Sequence, residues 1–240
     1  MSRFVYGVNP VLEALRAHPS DVLRVLVESR RSQGGDKVAA AASEAGVLVE
    51  TISAGDLSRR ARGGVHQGVG AELAEFRYAE LEDLLAAPGP AFLLVLDGVT
   101  DPQNLGALVR SAHALGAQGV VVPKDRAAGV TPAVFKAAAG ALEHCPLARV
   151  TNLVRVLEQM KEAGVWTVAL AADGDKDMES LDLSGPIAIV LGSESSGVRP
   201  LVRKTCDHVA RIRMAGKVGS LNVSAAGAIA LHEVARKRKK

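Results

Sequence analysis

Five polar side chains in and beside three glycine-rich segments are the residues of this sequence best suited to chemistry. The segments cover residues 97–106, 191–197 and 211–231, and each reads as a strand end, a loop and the start of a helix. Glycines give such loops backbone freedom, and polar groups among apolar neighbours are typical of a ligand site. The candidates are two amides, a cation, a carboxylate and a hydroxyl: Asn104, Arg110, Glu194, Ser220 and Asn222.

Each candidate also has a purely structural interpretation. Asn104 stands where one helix is expected to begin, so its side chain could cap free backbone N–H groups. The start of the last helix offers three such caps, although it needs only one: Ser220, Asn222 and Ser224. Arg110 lies on a predicted helix, where an arginine is usually a surface or salt-bridge residue unless it contacts a phosphate. Glu194 could be an ordinary loop acid. The residues alone indicate a ligand-binding α/β enzyme and leave its reaction open.

Common catalytic and nucleotide-binding motifs are missing from the sequence. Residues 192–197 have the glycine spacing of a phosphate-binding loop, but Val198 and Arg199 follow where Lys and Ser or Thr are needed. There is no G-x-S-x-G segment to mark a nucleophilic serine. The histidines are scattered without ligand spacing, so we expect no metal site.

The three segments are predicted to meet at one edge of a parallel sheet. Apolar runs alternate with helical patterns over residues 91–240, which is typical of a mainly parallel sheet with helices on both faces. In such sheets ligands bind beyond the carboxyl ends of the strands. The predicted strands are 92–97, 119–122, 147–150, 165–170, 187–191 and 208–213. The predicted helices are 104–115, 131–140, 151–163, 198–205 and 221–236.

A smaller α/β domain is predicted over residues 1–76, followed by a linker at 77–90. Helices are expected at 8–17, 36–45 and 54–62, and strands at 22–27, 47–52 and 69–73. The linker holds a short acidic helical piece and ends in Pro-Gly-Pro. Three arginines form a basic patch that is either a solvated loop or a phosphate contact: Arg59, Arg60 and Arg62. The basic residues 235–240 are either a solubilising end or an RNA contact.

The composition is that of a globular protein with a mildly basic balance. Apolar residues make up 48% of the 240 residues, aromatic residues 3%, and the formal net charge is +3. This permits a nucleic-acid partner but makes extended base-stacking surfaces improbable. The beginning of the sequence lacks an apolar signal core, and no apolar run is long enough to cross a membrane. With two cysteines, which fit free thiols, we expect a cytoplasmic protein.

The same three segments resemble the signatures of a known enzyme family. Residues 97–112, 189–197 and 212–224 are similar, in order and in full, to the three motifs of the SpoU (TrmH-like) RNA ribose 2′-O-methyltransferases. Residues 122–126 and 145–152 are most similar to the bacterial 23S ribosomal RNA guanosine methyltransferases of that family. The first domain, with His-Gln-Gly at 66–68, is similar to the family's RNA-binding domain.

The resemblance implies a SPOUT-type parallel sheet whose C-terminal segment forms a trefoil knot. It also implies S-adenosylmethionine as the cofactor and a homodimer in which each site takes residues from both subunits. By motif position, the adenosyl group would contact Gly192, Ile212 and Leu221, between walls formed by Leu191 and Met214. The turn after Leu170, beginning at Ala171, would add to the pocket.

The resemblance assigns hydroxyl activation to Arg110. A guanidinium hardly loses its proton in proteins, so the alternative is that Arg110 holds a phosphate and stabilises the alkoxide electrostatically. The other four candidates would orient Arg110, the ribose and the cofactor. The implied reaction is methylation of a guanosine ribose in 23S ribosomal RNA. The alternatives are a tRNA guanosine or ribosomal adenosine 2′-O-methyltransferase, and a non-catalytic RNA-binding assembly factor.

Overall fold

A computed structural model describes residues 2–30, 32–217 and 219–238 of the chain, which divides into two compact units. The first unit consists of the chain up to Arg77 together with Gly129–His144. The second consists of Tyr78–Ala128 together with the chain from Cys145 onward. In the described stretches no helix is both long and apolar enough to cross a membrane.

The first unit is built on a four-stranded mixed sheet in the order β1-β4-β2-β3. Its elements up to residue 73 are β1 (Arg3–Tyr6), α1 (Val8–Ala17), β2 (Val22–Glu28), α2 (Gln33–Glu44), β3 (Val49–Ile52), α3 (Ala54–Arg60) and β4 (Val69–Leu73). Strand β4 pairs antiparallel with β1 and β2, and β3 adds to β2 in parallel. Serine side chains cap two helices, because Ser32 accepts from Gly35 N and Ser53 from Asp56 N. The sequence analysis found these elements except β1.

The second part of the chain contributes a seven-stranded sheet in which every pairing is parallel. The elements that follow β4 along the chain are α4 (Leu81–Leu85), β5 (Phe92–Asp97), α5 (Pro102–Ala114), β6 (Gly119–Pro123), α6 (Pro132–Ala138), β7 (Leu147–Val150), α7 (Leu153–Glu162), β8 (Trp166–Leu170), β9 (Lys176–Asp177), β10 (Ile187–Gly192), α8 (Pro200–Thr205), β11 (His208–Arg211) and α9 (Val223–Arg238). Of these, α6 belongs to the first unit. The strand order is β7-β6-β5-β10-β8-β11-β9.

The central strands β5 and β10 are buried along their whole length. Continuous apolar runs are what a parallel strand needs when helices cover both of its faces. The expected parallel α/β architecture is therefore confirmed. The register pairs Leu96 with Leu191 and Asp97 with Gly192, so the carboxyl ends of these two strands lie side by side.

Residues 129–144 belong to the first unit, although the sequence analysis assigned them to the domain over 91–240. The Arg3 guanidinium lies over the Phe135 ring, 4.5 Å from its centroid, and over the Phe76 ring at 5.5 Å. Arg3 Nη2 also donates to Glu143 Oε2 at 3.2 Å. Helix α6 thus packs on β1 through an apolar and cation–π contact, which alternation of strands and helices along the sequence does not reveal.

The basic end of the chain is used within the second unit. Lys237 Nζ donates to the backbone oxygens of Glu179 and Leu181, at 2.7 and 2.5 Å. Arg238 donates to Ala91 O at 2.7 Å and to Gly185 O at 2.5 Å. Lys237 and Arg238 therefore bind backbone carbonyls of their own unit, and both interpretations of the segment, a solubilising end and an RNA contact, stay predictions. The last two lysines of the expected tail lie outside the described residues.

Candidate active site

Two glycines make a closely folded loop where β10 ends. Gly197 has a φ of 64° and exchanges backbone hydrogen bonds with Ser193, at 2.9 and 3.1 Å. The chain folds back so tightly that a Cβ on Gly192 would lie 1.9 Å from the carbonyl carbon of Gly197. Only glycine fits at position 192, and its bare backbone faces the space beyond the sheet.

An ion pair between a buried carboxylate and a partly exposed arginine holds the far end of this loop to β5. The Asp97 side chain, in a residue only 1% exposed, accepts from Arg199 N at 2.8 Å and from Arg199 Nε at 2.6 Å. Breaking such a pair leaves an uncompensated buried charge. The sequence analysis gave neither residue a role. The only sign of this pair in the sequence is that Asp97 is a charged residue at the end of an otherwise apolar strand. Its partner, Arg199, lies 102 residues further along the chain.

Three of the five catalytic candidates form one hydrogen-bonded cluster. Glu194 Oε1 accepts from Asn104 Nδ2 at 2.8 Å and from Asn222 Nδ2 at 2.7 Å. Asn222 Nδ2 also lies 3.1 Å from Asn104 Oδ1 and donates to it. The cluster joins the loops of all three sequence motifs. Glu194 Oε2 accepts no hydrogen bond from the described residues, so this oxygen can still receive a donor.

Of the two helix caps at the site, Asp101 was not considered in the sequence analysis, whereas Asn222 was one of its three candidates. Asp101 caps α5, since its carboxylate accepts from the backbone N–H groups of Gln103 and Asn104. Asn222 caps α9, because its Oδ1 accepts from Ser224 N at 2.9 Å. The side chains of Asn104 and Ser220 are therefore not needed as caps. Asn222 is exposed, and its amide group joins the cap to the cluster.

A cavity of about 550 Å³ opens at the carboxyl ends of β8, β10 and β11. Its lining includes Glu194 and Ser220. It also includes every residue that the resemblance assigns to the adenosyl group: Gly192, Ile212, Leu221, Leu191, Met214 and Ala171. The lining combines apolar side chains with glycine backbone and a few polar groups, which is the usual lining of a small-molecule site.

The turn after β8 forms one wall of the cavity. Ala171 N donates to Ala210 O at 2.9 Å, and Gly174 N donates to Ala171 O at 3.1 Å. A Cβ on Gly174 would lie 2.5 Å from the Ala210 carbonyl carbon. This turn therefore packs backbone to backbone against β11, which fixes Ala171 and Ala172 at the cavity.

Arg110 does not join the cluster in this chain. It is exposed, makes no hydrogen bond or ion pair with the described residues, and does not line the cavity. Arg110 follows Asn104 by six positions, and six positions correspond to a rotation of about 240° around an α-helix. The two side chains therefore lie on different faces of α5. A second arginine that the sequence analysis missed, Arg213, does line the cavity and is exposed. Its place in the third motif was the available signal.

Comparisons with known proteins agree with this geometry. Residues 91–232 match the profile of the SpoU rRNA Methylase family, and residues 4–79 match that of the RNA 2′-O ribose methyltransferase substrate-binding domain. The 23S rRNA (guanosine-2′-O-)-methyltransferase RlmB of Pseudomonas syringae pv. tomato is 44% identical over 239 residues, covering 98% of this chain and 95% of that protein.

An uncharacterized tRNA/rRNA methyltransferase of Mycolicibacterium vanbaalenii is 42% identical over 243 residues, covering 99% of this chain and 77% of that protein. Among solved structures, the SpoU methyltransferase AviRb from Streptomyces viridochromogenes, in complex with the cofactor AdoMet, superposes with a TM-score of 0.82. It is 27% identical, and the alignment covers 99% of this chain and 90% of that chain.

Proposed function

The chain belongs to the SpoU rRNA methylase family, and from this membership we propose that it methylates the ribose 2′-hydroxyl of a guanosine in 23S ribosomal RNA. The observation that carries the proposal is the 44% identity, over 98% of the chain, to a 23S rRNA guanosine 2′-O-methyltransferase. The cavity at the three motifs supports it, because its size and lining suit an adenosyl cofactor.

The cavity is the proposed site for S-adenosylmethionine, which supplies a methyl group activated by a positively charged sulfur. Leu191 and Met214 would flank the adenine, and the bare backbone at Gly192 would bind polar edges without a side chain in the way. Backbone groups of Ile212 and Leu221 complete the proposed contacts. Arg213 lines the cavity and makes no ion pair with the residues that the structure describes, so it is the cation proposed to bind the carboxylate of the cofactor.

The cluster of Asn104, Glu194 and Asn222 is proposed to orient the ribose. Its two amides hold Glu194 Oε1 from both sides, so the free Oε2 points from a fixed position. That oxygen can accept from a ribose hydroxyl, while Ser220 adds a hydroxyl at the cavity wall. Alignment of reacting groups can lower a barrier by about 7–11 kcal/mol in favourable cases, and methyl transfer requires mainly alignment.

Arg110 is proposed to act at the site of a second copy of the chain. Its exposed, unpaired guanidinium suits contact with another molecule, and the family resemblance implies a homodimer with shared sites. Because a guanidinium keeps its proton, its role would be to hold a phosphate and stabilise the forming alkoxide. The Arg110→Ala variant should then lose methylation while calorimetric titration still detects cofactor binding.

Mixing two inactive variants tests this shared site. Arg110→Ala keeps the cavity, and Gly219→Trp should obstruct it while keeping Arg110, because Gly219 lines the cavity and a Cβ there would meet nothing within 4 Å. If each site takes Arg110 from the partner, co-refolded dimers should regain about one quarter of the normal activity, since half of them contain one intact site. No recovery would place Arg110 in its own chain's site. Gly185→Ala is the matched control, since nothing lies within 4 Å of a Cβ there.

The substrate is tested with labelled cofactor and separate RNA transcripts. We expect label in 23S ribosomal RNA, at a single guanosine located by mass mapping of ribose methylation. Label in tRNA instead would favour the tRNA guanosine reading, which the name of the mycobacterial relative keeps open. Label at an adenosine would favour the ribosomal adenosine reading, and RNA binding without any transfer would favour an assembly factor.

We also propose the remaining features that the family implies. These are the trefoil knot formed by the C-terminal segment, the homodimer, and a cytoplasmic location in which both cysteines stay reduced. The division into domains 1–76 and 91–240 is likewise proposed, with the change that residues 129–144 fold with the first unit.

A further inference from the structure

The chain's single tryptophan lies at the amino ends of the strands of the large sheet, whereas the cavity lies at their carboxyl ends. Trp166 is the first residue of β8, whereas Leu170, the last, lines the cavity. Its side chain is 55% exposed although it is the largest apolar group in a chain that is only 3% aromatic. A single exposed apolar residue is not by itself a contact surface, so the argument depends on what surrounds the indole.

The exposed indole is held flat against a second ring. The rings of Trp166 and His208 are parallel within 3°, with centroids 5.4 Å apart. His208 begins β11, the neighbour of β8, so the two strands fix both rings. Lys176 Nζ donates to His208 Nδ1 at 3.1 Å, which fixes the orientation of the imidazole and puts a positive charge beside the stack.

Clefts open beside the indole. One of about 290 Å³ is lined by Trp166 with Lys161 and Asp207, and another of about 270 Å³ is lined by Trp166 with His208 and Asp182. Both are open and of a size for one ring system. The carboxylates are already engaged, since Asp207 accepts from Thr167 and Asp182 from Ser184. Lys161 is paired with Asp207 at 3.2 Å, which leaves Lys176 as the cation beside the stack. The surface therefore suits a flat aromatic group with a phosphate close to Lys176.

We propose that the Trp166–His208 stack is a platform on which an unpaired base of the RNA substrate stacks. The inference rests on the proposed function for RNA as the ligand and adds a contact distant from the methyl-transfer site. Base stacking on an aromatic side chain does not depend on sequence, because every base has a flat π-face. A platform of this kind would hold an RNA strand while the target nucleotide enters the cavity at the other edge.

The platform is tested by the fluorescence of the only tryptophan, so that quenching reports contact at this position. Single-stranded oligonucleotides taken from the methylated region should quench it in proportion to occupancy. Trp166→Leu should bind the same RNA roughly 5- to 140-fold more weakly, which corresponds to ~1–3 kcal/mol at 1.4 kcal/mol per factor of ten. Its kcat and its affinity for S-adenosylmethionine should not change, whereas the KM for RNA should rise.

Two further variants keep the result interpretable. Trp166→Phe retains a stacking ring and should recover most of the affinity, which a merely structural residue would not require. Leu201→Ala removes a comparably exposed apolar group, 63% exposed, that lines neither cleft, and should bind RNA normally. If Trp166→Leu unfolds, His208→Leu takes its place, and its RNA affinity is compared with that of the wild type.

The outcomes separate this platform from the proposed function. Unchanged fluorescence with RNA, in a protein that methylates RNA, overturns the platform alone. Quenching on raising the protein concentration without RNA overturns it in favour of self-association. Quenching by RNA in a protein that transfers no methyl group supports the platform and contradicts the proposed activity.

Discussion

At the scale of single residues, the site depends on a side chain that both caps a helix and joins the hydrogen-bonded cluster. Asn222 caps α9 with its oxygen and ties two other motifs together with its nitrogen. An amide has two N–H donors and a separate carbonyl acceptor, whereas a serine hydroxyl has one proton and an ionised aspartate has none, so neither could make all of these hydrogen bonds. A residue of this kind links helix stability to the geometry of the site.

Asn222→Ala should therefore lower both stability and activity. The free energy of unfolding should fall by about 1–3 kcal/mol, because the cap and the cluster are lost and both are partly exposed to solvent. The kcat should fall at least tenfold. Asn152→Ala is the matched control, because Asn152 caps α7 in the same way and makes no contact with the cluster. It should cost about 1 kcal/mol and leave kcat unchanged. Equal effects on kcat would contradict a role for the cluster.

The two cysteines should be nearly inert thiols. Burial raises the pKa of Cys206 to about 12, helped by the charge of Asp207, and burial alone raises that of Cys145 to about 12. The raised pKa disfavours the reactive thiolate, so at pH 8 alkylation of Cys206 should be on the order of a thousandfold slower than that of a free cysteine. The rate should keep rising through pH 10, as mass spectrometry can follow; a plateau near pH 9 would contradict the shift.

At the scale of elements, the loop after β10 is positioned by its two ends. Gly192 and Gly197 close one end by backbone contact, and the Asp97–Arg199 pair fastens the other to β5. Glu194 lies between these points. Its carboxylate is thus held in place by a loop that cannot shift without breaking a buried ion pair.

Arg199→Ala should be strongly destabilising. It leaves the Asp97 carboxylate buried without its partner, and we expect a loss of about 3 kcal/mol in urea unfolding, at the lower end for buried pairs because the guanidinium is partly exposed. Arg203→Ala, which removes an exposed pair with Asp173, should cost less than about 1 kcal/mol. Adding Asp97→Asn to Arg199→Ala should restore part of the stability; a further loss would argue against an unpaired charge as the cause.

Most elements could be predicted from the sequence because their apolar periods are long. The elements it missed are short: β1 has four residues and β9 has two, too few to show a period. The boundaries of α9 were misplaced by two residues, because Ser220 and Asn222 are both good caps and only the fold selects Asn222. The six residues assigned to the adenosyl group could be predicted only from the family resemblance. Residues that bind a ligand through their backbone show no characteristic period or spacing in the sequence.

At the scale of the whole molecule, the two units share the chain in an interleaved order. The chain passes from one unit to the other near residues 77, 128 and 144. A sequence read from one end to the other suggests a single connection, because contacts between β1 and α6 join residues more than a hundred positions apart. The placement of residues 129–144 therefore could not be predicted.

A chain shortened to residues 91–240 should fold poorly. It retains α6 but lacks Arg3 and Phe76, which cover Phe135 in the full chain. We expect binding of a hydrophobic dye and concentration-dependent aggregation in light scattering. The same short chain with a flexible Gly–Ser linker of equal length in place of residues 129–144 should remain monodisperse. Identical behaviour of the two would show that α6 does not depend on the first unit.

The interleaved order also limits how relatives of this protein can exchange parts. A chimera that takes its small unit from a homologue by a single crossover near residue 77 would combine a foreign β1 with a native α6, and the cation–π stack between them would be mismatched. Viable hybrids should carry both pieces from the same parent. In a viable chimera the residues at positions 3, 76 and 135 should therefore come from the same parent, although they lie far apart in the sequence.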